Sequence, residues 1–204
     1  MDAAAIDKGL MRRFPREVAI GQCHIDHVEV SRMDAMMSNM SRTAWLTSVS
    51  EGKYVRLRIG GQVVMSNTRM EHRTNREIMR RANGRVLIAG LGLGMILRPI
   101  LDSQRVESVL VVEKNDDVIA AVHPKWTSKK LSVVHADIDE WKPAKGTKFD
   151  TIYFDIWSDL NTENIEHMKR LHTRFRSCLN RTNADAWMGS WTYEELRIMR
   201  RRGM

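Results

Sequence analysis

The stretch at residues 86–94 constrains the fold more than any other part of this sequence. It reads VLIAGLGLG, an apolar run that leads into glycine at every second position. Glycine lets the chain turn tightly and lets its backbone approach a ligand, because no Cβ stands in the way. A helix that starts after such a turn offers N–H groups to a polar ligand group. We therefore predict a buried strand, a ligand-binding loop at Gly90, Gly92 and Gly94, and then a helix.

The rest of the second half alternates strand-like and helix-like segments. Short, continuous apolar runs are typical of strands that are buried on both faces of a sheet. The predicted strands are 85–89, 108–113, 131–135, 149–155 and 186–190. The predicted helices are 95–103, 116–123 and 163–179. Pro99 lies inside the first of these helices, so we expect a kink or a late helix start there. This order predicts an α/β fold, a parallel sheet with helices on both faces.

The first half has the features of a small β-rich section. In 54–59, apolar residues alternate with polar ones, which is the period of a strand. The Gly60-Gly61 pair that follows suits a two-residue hairpin turn, since both positions tolerate positive φ. Residues 62–65 then form the second strand of the predicted hairpin.

Three further segments complete this N-terminal section. A strand is predicted at 24–31 and a helix at 74–82. We expect the methionine-rich stretch 33–40 to pack in the core or at an interface, because methionine is apolar and adaptable. The chain then divides into a β-rich N-terminal section, 1–82, and an α/β domain, 83–204.

The composition excludes several classes of protein. The chain has 204 residues, 43% of them apolar, which suits a folded domain rather than a disordered chain. No apolar run reaches the ~18 residues that a membrane span needs, and residues 1–14 lack the apolar core of a signal peptide. Cys23 and Cys178 have neither the spacing of a metal site nor that of a disulfide framework. We expect a cytoplasmic protein with no metal and no membrane partner.

The net charge of +8 permits two interpretations. The simpler one is a solvated basic surface, and the sharper one is an anionic partner such as nucleic acid. Arginine is densest near the C-terminus, at Arg197, Arg200, Arg201 and Arg202. A terminal run of arginines is also typical of a disordered tail. The sequence leaves these interpretations open.

Acidic residues follow three of the predicted strands, at the edge where open α/β sheets bind ligands. Glu113 lies about 20 residues after the glycine loop, where an acid accepts hydrogen bonds from ribose hydroxyls. Asp137 can accept from an adenine amino group, with the N–H of Ile138 as a donor to the ring; the alternative is that Asp137 caps a helix. Asp155 and Asp159 are candidates for a general base or for contact with a cationic group; the alternative is that they cap a loop.

Together these pieces resemble the core of a class I S-adenosylmethionine-dependent methyltransferase, and more closely its spermidine synthase-like branch. Most methyltransferases have an acid two residues before the first glycine, whereas spermidine synthases have an apolar residue there, as Ile88 is here. The small β-rich section before the glycine loop is similar to that branch as well. The stretch from Gly61-Gln62 to Glu71-His72 resembles its hairpin and the acidic segment that follows.

The resemblance covers roughly residues 53–190 and implies a Rossmann-like fold. It also implies a transferase that uses S-adenosylmethionine or its decarboxylated form, with an acceptor that the sequence does not name. The residues it implies are Gly90, Gly92, Gly94 and Gln62 for the methionine part, Glu113 for the ribose, Asp137 for the adenine, and Asp155 beside the reacting centre.

Several departures disfavour the family's aminopropyl transfer. The family's loop has two acids three residues apart followed by proline, whereas Asp155 and Asp159 are four apart and Leu160 follows. The Tyr-His pair that binds polyamine is not recognisable, and a basic chain is a poor host for a polycation. A methyltransferase is therefore the first hypothesis. The alternatives are an aminopropyltransferase, a non-catalytic cofactor-binding scaffold and a basic nucleic-acid-binding module.

The last two strands of a full methyltransferase core are not recognisable after 186–190, where a short helix and an arginine tail follow. The sheet is therefore expected to be truncated at that edge. Because an open sheet edge invites pairing with another chain, we expect a homo-oligomer or a covered edge. The methionine-rich stretch 33–40 is the candidate for that cover.

Overall fold

The chain folds around two β-sheets. The computed structural model describes residues 9–40 and 44–203. The first sheet is a four-stranded antiparallel meander, and the second has five strands that all run parallel. The predicted α/β class is confirmed, with its parallel sheet and its small β-rich N-terminal part.

The antiparallel sheet follows the order of the sequence. Its strands are β1 (Val18–Ile20), β2 (Cys23–Val30), β3 (Gly52–Ile59) and β4 (Gln62–Ser66). Gly60 and Gly61, with φ of 56° and 85°, form the predicted turn between β3 and β4. The outward-facing Arg56 and Arg58 both pair with Asp26 of β2, at 2.9 and 2.8 Å. The hairpin is thus fastened to its neighbouring strand by charge as well as by the backbone ladder.

The parallel sheet has the strand order β7-β6-β5-β8-β9. Its first strand, β5, is central; β6 and β7 are added on one side of it, and β8 and β9 on the other. Its strands are β5 (Gly84–Ala89), β6 (Val106–Glu113), β7 (Leu131–His135), β8 (Thr151–Phe154) and β9 (Trp187–Ser190). All five strand predictions are confirmed, with ends that differ by at most two residues. Sheets with this order bind ligands at their carboxyl edge, beside the switch between β5 and β8.

Helices flank both sheets. They are α1 (Arg32–Ser38), α2 (Ala44–Thr47), α3 (Arg69–Thr74), α4 (Arg76–Arg81), α5 (Leu97–Leu101), α6 (Asp116–Val122), α7 (Asn164–Phe175) and α8 (Tyr193–Arg201). Residues 9–13 are helical as well, and short 3₁₀ turns extend α6 and α7. Pro99 lies in the first turn of α5, where proline is tolerated, so the expected late helix start is confirmed.

The helix predicted at 74–82 is confirmed as α4, with ends that differ by at most two residues. Helix α3 was not predicted; it precedes α4, and Asn75 separates the two helices. The Asn75 side chain accepts a hydrogen bond from Tyr153 Oη at 2.9 Å and donates one to the carbonyl of Glu71 at 3.1 Å. One local and one tertiary hydrogen bond thus hold the Asn75 side chain at the break between α3 and α4. Local periodicity does not predict the tertiary partner.

The two faces of the parallel sheet bury separate hydrophobic clusters. Ile88 belongs to one cluster, which also contains Leu57 of β3 and Ile78 of α4. The neighbouring residue Leu87 belongs to the other, which Phe175 at the end of α7 helps to complete. The antiparallel sheet thus shares a core with one face of the parallel sheet, while α7 covers the opposite face. The division of the chain into two domains stays a prediction.

The methionine-rich stretch does not pack in the core. Helix α1 buries Ala35 but leaves Met33, Met36 and Met37 exposed, and Met40, which follows the helix, is exposed as well; the four are between 58% and 73% exposed. Core packing of this stretch is therefore wrong, and its place at an interface stays a prediction. Within the described parts of the chain, no helix combines the length and the apolar character that crossing a bilayer requires.

Candidate functional site

A cavity of about 490 Å³ lies at the carboxyl edge of the parallel sheet. The ends of β5, β6, β7 and β8 form one side, and the β3–β4 hairpin forms the opposite wall. The predicted site residues that line it are Gln62, Gly90, Gly92, Glu113, Asp137, Ile138 and Asp155. Gly94 and Asp159 are not part of the lining. The fold therefore gathers residues that are far apart in the sequence around one cavity.

The glycine loop has positive φ at each of its glycines: 95° at Gly90, 49° at Gly92 and 69° at Gly94. A Cβ at Gly90 would meet the carbonyl oxygen of Asp155, and one at Gly94 would meet the indole of Trp126. Gly90 thus lets the loop pass directly over the end of β8, whereas Gly94 packs away from the cavity. Contacts inside the protein already require glycine at these two positions.

Met65 of β4 lies across the glycine loop. Its sulfur accepts a hydrogen bond from Leu93 N at 3.3 Å, and a Cβ at Gly92 would meet the same sulfur. A thioether is a weak acceptor, so this N–H is occupied without being strongly bonded. The hairpin wall and the glycine loop are thus in direct contact at the cavity.

Glu113 ends β6 and is 9% exposed. Its Oε2 accepts from Leu91 N at 2.7 Å, and its Oε1 accepts from Asn115 N at 2.8 Å. The glycine loop and the turn before α6 therefore fix the orientation of this carboxylate. A carboxylate can accept about four hydrogen bonds, so two acceptor positions remain for a ligand in the cavity.

Asp137 and Ile138 follow β7 on another side of the cavity. Asp137 Oδ1 accepts from Asp139 N at 2.9 Å, so the side chain closes a turn and does not cap a helix. Ile138 is buried, and its carbonyl accepts from Arg174 Nη1 at 2.7 Å. The guanidinium of α7 thus braces the turn in which both predicted adenine contacts lie.

Glu71 of α3 and Asp155 after β8 contribute carboxyl groups to the same cavity. Burial raises the pKa of Glu71 to about 8, and repulsion from Asp155 adds to this effect. Burial also raises the pKa of Asp155 to about 7. A buried carboxyl is ionised only at a cost, and the cost grows when a second carboxylate is near. Near neutral pH Glu71 therefore keeps its proton while Asp155 is partly ionised.

The sequence prediction did not include Glu71 among the site residues. This acid sits inside a helix among arginines, where a solvated surface position is the usual expectation. Tertiary structure buries it instead to 7% exposure, and the neighbouring Thr74 accepts a hydrogen bond from Trp191 Nε1 at 3.0 Å. The one signal in the sequence was the similarity of the surrounding stretch to the acidic segment of the spermidine synthase-like branch.

The loop after β8 carries the second predicted acid to the surface. Asp159 is exposed, and its Oδ1 accepts from Asn164 Nδ2 at 3.0 Å. Trp157 of the same loop lines the cavity and meets His167 edge to face, with ring centroids 5.4 Å apart. Its buried indole N–H has no partner among the residues that the structure describes.

The cavity differs in charge from the chain as a whole. Its carboxyl groups belong to Glu71, Glu113, Asp137, Asp139 and Asp155. The basic side chains of its lining are Lys114 and His167, and His167 pairs with Asp139 at 2.8 Å. The chain carries +8, yet this site is acidic. The argument from net charge against a cationic ligand therefore does not hold here.

The chain is similar in fold to solved structures of transferases. A spermidine synthase from Thermotoga maritima is 19% identical over 67% of this chain and 46% of that chain, with a TM-score of 0.44. An S-adenosylmethionine-dependent methyltransferase from Mesorhizobium loti is 19% identical over 52% of this chain and 49% of that chain, with a TM-score of 0.41. The plantazolicin methyltransferase BpumL, solved with SAH, is 16% identical over 54% and 45%, with a TM-score of 0.41.

The chain spans less than half the length of each of these structures. No protein-family model and no curated protein matches it. The fold itself follows from the strand order and from the glycine loop at the end of the central strand. It is a Rossmann-like α/β fold.

Proposed function

We propose that the cavity binds S-adenosylmethionine and that the protein transfers the methyl group of this cofactor to an acceptor. One observation carries the proposal: the glycine loop, Glu113, the turn at Asp137 and Ile138, and Asp155 converge on a single cavity at the ligand-binding edge of the sheet. Its volume of about 490 Å³ is in the range of small-molecule sites.

Each part of the cavity suits one part of the cofactor. Glu113 keeps acceptor positions for the ribose hydroxyls, and its orientation is already set by two backbone N–H groups. Asp137 supplies an acceptor for the adenine amino group, and the backbone of Ile138 supplies a donor. The sulfonium is a cation, and the negative charge of the Glu71–Asp155 pair attracts it.

Asp155 is the general base in the proposed reaction. It takes a proton from the acceptor's nucleophilic atom as that atom bonds to the methyl carbon and the carbon–sulfur bond breaks, leaving S-adenosylhomocysteine. A pKa of about 7 suits this role, because a substantial fraction of the group is then ionised at neutral pH. Most of the remaining catalysis is the positioning of the two reactants.

Calorimetric titration with S-adenosylmethionine tests the proposal. We expect the parent to bind and Glu113→Ala to bind at least about tenfold more weakly, because a hydrogen bond to a charged group contributes about 1.5–3 kcal/mol. Glu107→Ala is the matched control, since Glu107 is an exposed acid on the same strand, β6, at its other end. No binding by the parent, or equal affinities of the parent and Glu113→Ala, would contradict the assignment.

The acid pair favours a second candidate function, aminopropyl transfer from decarboxylated S-adenosylmethionine. Where the β3–β4 hairpin bounds the cavity, the charged lining groups are Glu71 and Asp155, while Lys114 lies beyond the end of β6. A ligand carboxylate at the hairpin side is repelled by this pair, and an amine is attracted. The decarboxylated form carries the amine without the carboxylate.

The two reactions differ in their products and in the preferred form of the cofactor. Methyl transfer yields S-adenosylhomocysteine, whereas aminopropyl transfer yields methylthioadenosine. Tighter binding of the decarboxylated form, with loss of that preference in Glu71→Gln, would support aminopropyl transfer. Tighter binding of the carboxylated form would support methyl transfer, and tight binding without either product would support a non-catalytic scaffold.

A further inference from the structure

Helices α3 and α4 present a continuous basic surface. Every exposed residue within 69–81 is an arginine, with the exception of Glu77. We call this surface the arginine ridge, and it consists of Arg69, Arg73, Arg76, Arg80 and Arg81. With Glu77, these arginines make up the exposed residues of the two helices.

Most of the ridge charge is not neutralised within the protein. Arg81 pairs with Glu77 at 3.1 Å. Arg69, Arg76 and Arg80 form no ion pair with any residue in 9–40 or 44–203. Arg105 donates to the carbonyl of Arg80 at 3.3 Å, but it pairs with Asp185 at 3.8 Å and so adds little unneutralised charge. A bound polyanion would lower the repulsion between the positive charges of the ridge.

We propose that the arginine ridge binds the phosphate backbone of a single-stranded nucleic acid. Arginine holds phosphate oxygens through two parallel N–H donors, which a lysine-rich surface does not do. The ridge covers 13 residues of helix and turn, 69–81, and this length matches several consecutive phosphates rather than one. Two arginines on each helix, Arg69 with Arg73 and Arg76 with Arg80, follow the four-residue spacing that aligns side chains on one face.

The ridge lacks the apolar side chains that a membrane-binding helix requires. An interfacial helix buries exposed leucine, phenylalanine or tryptophan among the lipid chains. Here the apolar residues beside the ridge, Met70 and Met79, are partly buried against the hydrophobic cluster of the shared core. The exposed large apolar residues of the described chain lie elsewhere, at Met33, Met36, Met37, Met40, Val63 and Ile198. These observations favour nucleic acid over a lipid surface.

Helix α3 connects the ridge with the cavity. Glu71 lines the cavity, and Arg69 and Arg73 on the same helix face the solvent. A strand that lies along the ridge is therefore separated from this part of the cavity lining by the width of one helix. If the proposed function holds, the acceptor is a nucleotide of that strand, and this last step rests on the proposed function while the binding surface does not.

Fluorescence anisotropy with a labelled single-stranded RNA of about 12 nucleotides tests the ridge over a series of salt concentrations. The test variant carries Arg69→Ala, Arg76→Ala and Arg80→Ala, which spares the arginines that have contacts within the chain. We expect its slope of log affinity against log salt to be shallower by about 2, because each phosphate contact accounts for about 0.7. The affinity should fall about tenfold to a hundredfold near 0.1 M salt.

The matched control removes the same charge from the opposite face of the sheet. Arg170, Arg176 and Arg181 are exposed, and α7, which carries Arg170, packs on the other hydrophobic cluster. The triple alanine variant of these residues should bind RNA as the parent does. An equal loss of affinity in both variants, no RNA binding by the parent, or binding of the parent to phosphatidylserine vesicles but not to RNA would overturn the proposal.

Titration of the ridge variant with S-adenosylmethionine separates this inference from the proposed function. An unchanged cofactor affinity, together with weakened RNA binding, supports the ridge and shows that the variant is folded. If the parent binds the cofactor but not RNA, the proposal of RNA binding at the ridge is refuted and the proposed function is not. If the parent binds RNA but not the cofactor, the proposed function is refuted and RNA binding at the ridge is not.

Discussion

Replacing Glu71 by glutamine should make the protein more stable at alkaline pH. Glu71 is 7% exposed and lies in the same cavity as Asp155, and burial raises its pKa to about 8. Glutamine keeps the shape of the side chain and one carbonyl acceptor, but it cannot ionise. The substitution therefore removes one specific penalty, the presence of a buried negative charge beside a second carboxyl.

The magnitude follows from the linkage between proton binding and folding. Because the pKa of Glu71 is higher in the folded chain than its ordinary value of 4.5, the folded state binds the proton more tightly. The resulting stabilisation is complete below pH 4.5 and is lost as the pH rises through about 8. At about 1.4 kcal/mol for each pH unit, the loss reaches at most about 5 kcal/mol. That is comparable with the whole stability of a marginal domain.

Urea unfolding at a series of pH values from about 5 to about 9 measures this effect. We expect the free energy of unfolding of the parent to fall over this range by several kcal/mol more than that of Glu71→Gln. Glu107→Gln is the control, because Glu107 is exposed, and its profile should follow the parent. Parallel profiles of the parent and Glu71→Gln would refute the burial argument, since Glu71 would then titrate as it does in water.

Three further outcomes are expected. Asp155→Asn should lower the transfer rate about 10²–10⁴-fold and also weaken cofactor binding, because it removes a charge that attracts the sulfonium; the parent's rate should rise with pH through about 7 as Asp155 ionises, and a flat pH–rate profile would exclude it as the base. Gly90→Ala should destabilise far more than Gly146→Ala in urea unfolding, because both have positive φ (95° and 86°) but only the first Cβ meets backbone. Tyr153→Phe removes the donor to the buried Asn75 side chain and should lower the free energy of unfolding by about 1–3 kcal/mol, measured by thermal unfolding. An unchanged Tm would indicate that a water molecule donates to Asn75 Oδ1 in place of the tyrosine.

The parallel sheet could be predicted because its strands carry their own signal. In β5 the last four residues are apolar and buried, and all four residues of β8 are buried, because helices or the second sheet cover both faces. The glycines at 90, 92 and 94 mark where β5 ends, because each adopts a φ that other residues avoid. Strands and loop together were enough to locate one edge of the cavity.

Other features depend on contacts that only the folded chain makes. Asn75 lies at the end of α3, where its side chain accepts a hydrogen bond from Tyr153 of β8. No local sequence pattern predicts this distant partner. Glu71 becomes a site residue only when the same packing places it near Asp155. The net charge did not predict the charge of the cavity, because it is a sum over the whole chain. The cavity is lined by the acids at the strand ends, and no arginine is part of its lining.

The exposed methionines of α1, together with Met40 just after it, differ chemically from the methionines of the core. Met33, Met36, Met37 and Met40 are at least 58% exposed, whereas Met168 is fully buried. Oxidants attack accessible thioethers and turn them into polar sulfoxides, which methionine sulfoxide reductases reverse. Peroxide therefore converts this helix from an apolar to a polar surface while the core stays reduced. Any association made through α1 would then follow the redox state of its surroundings.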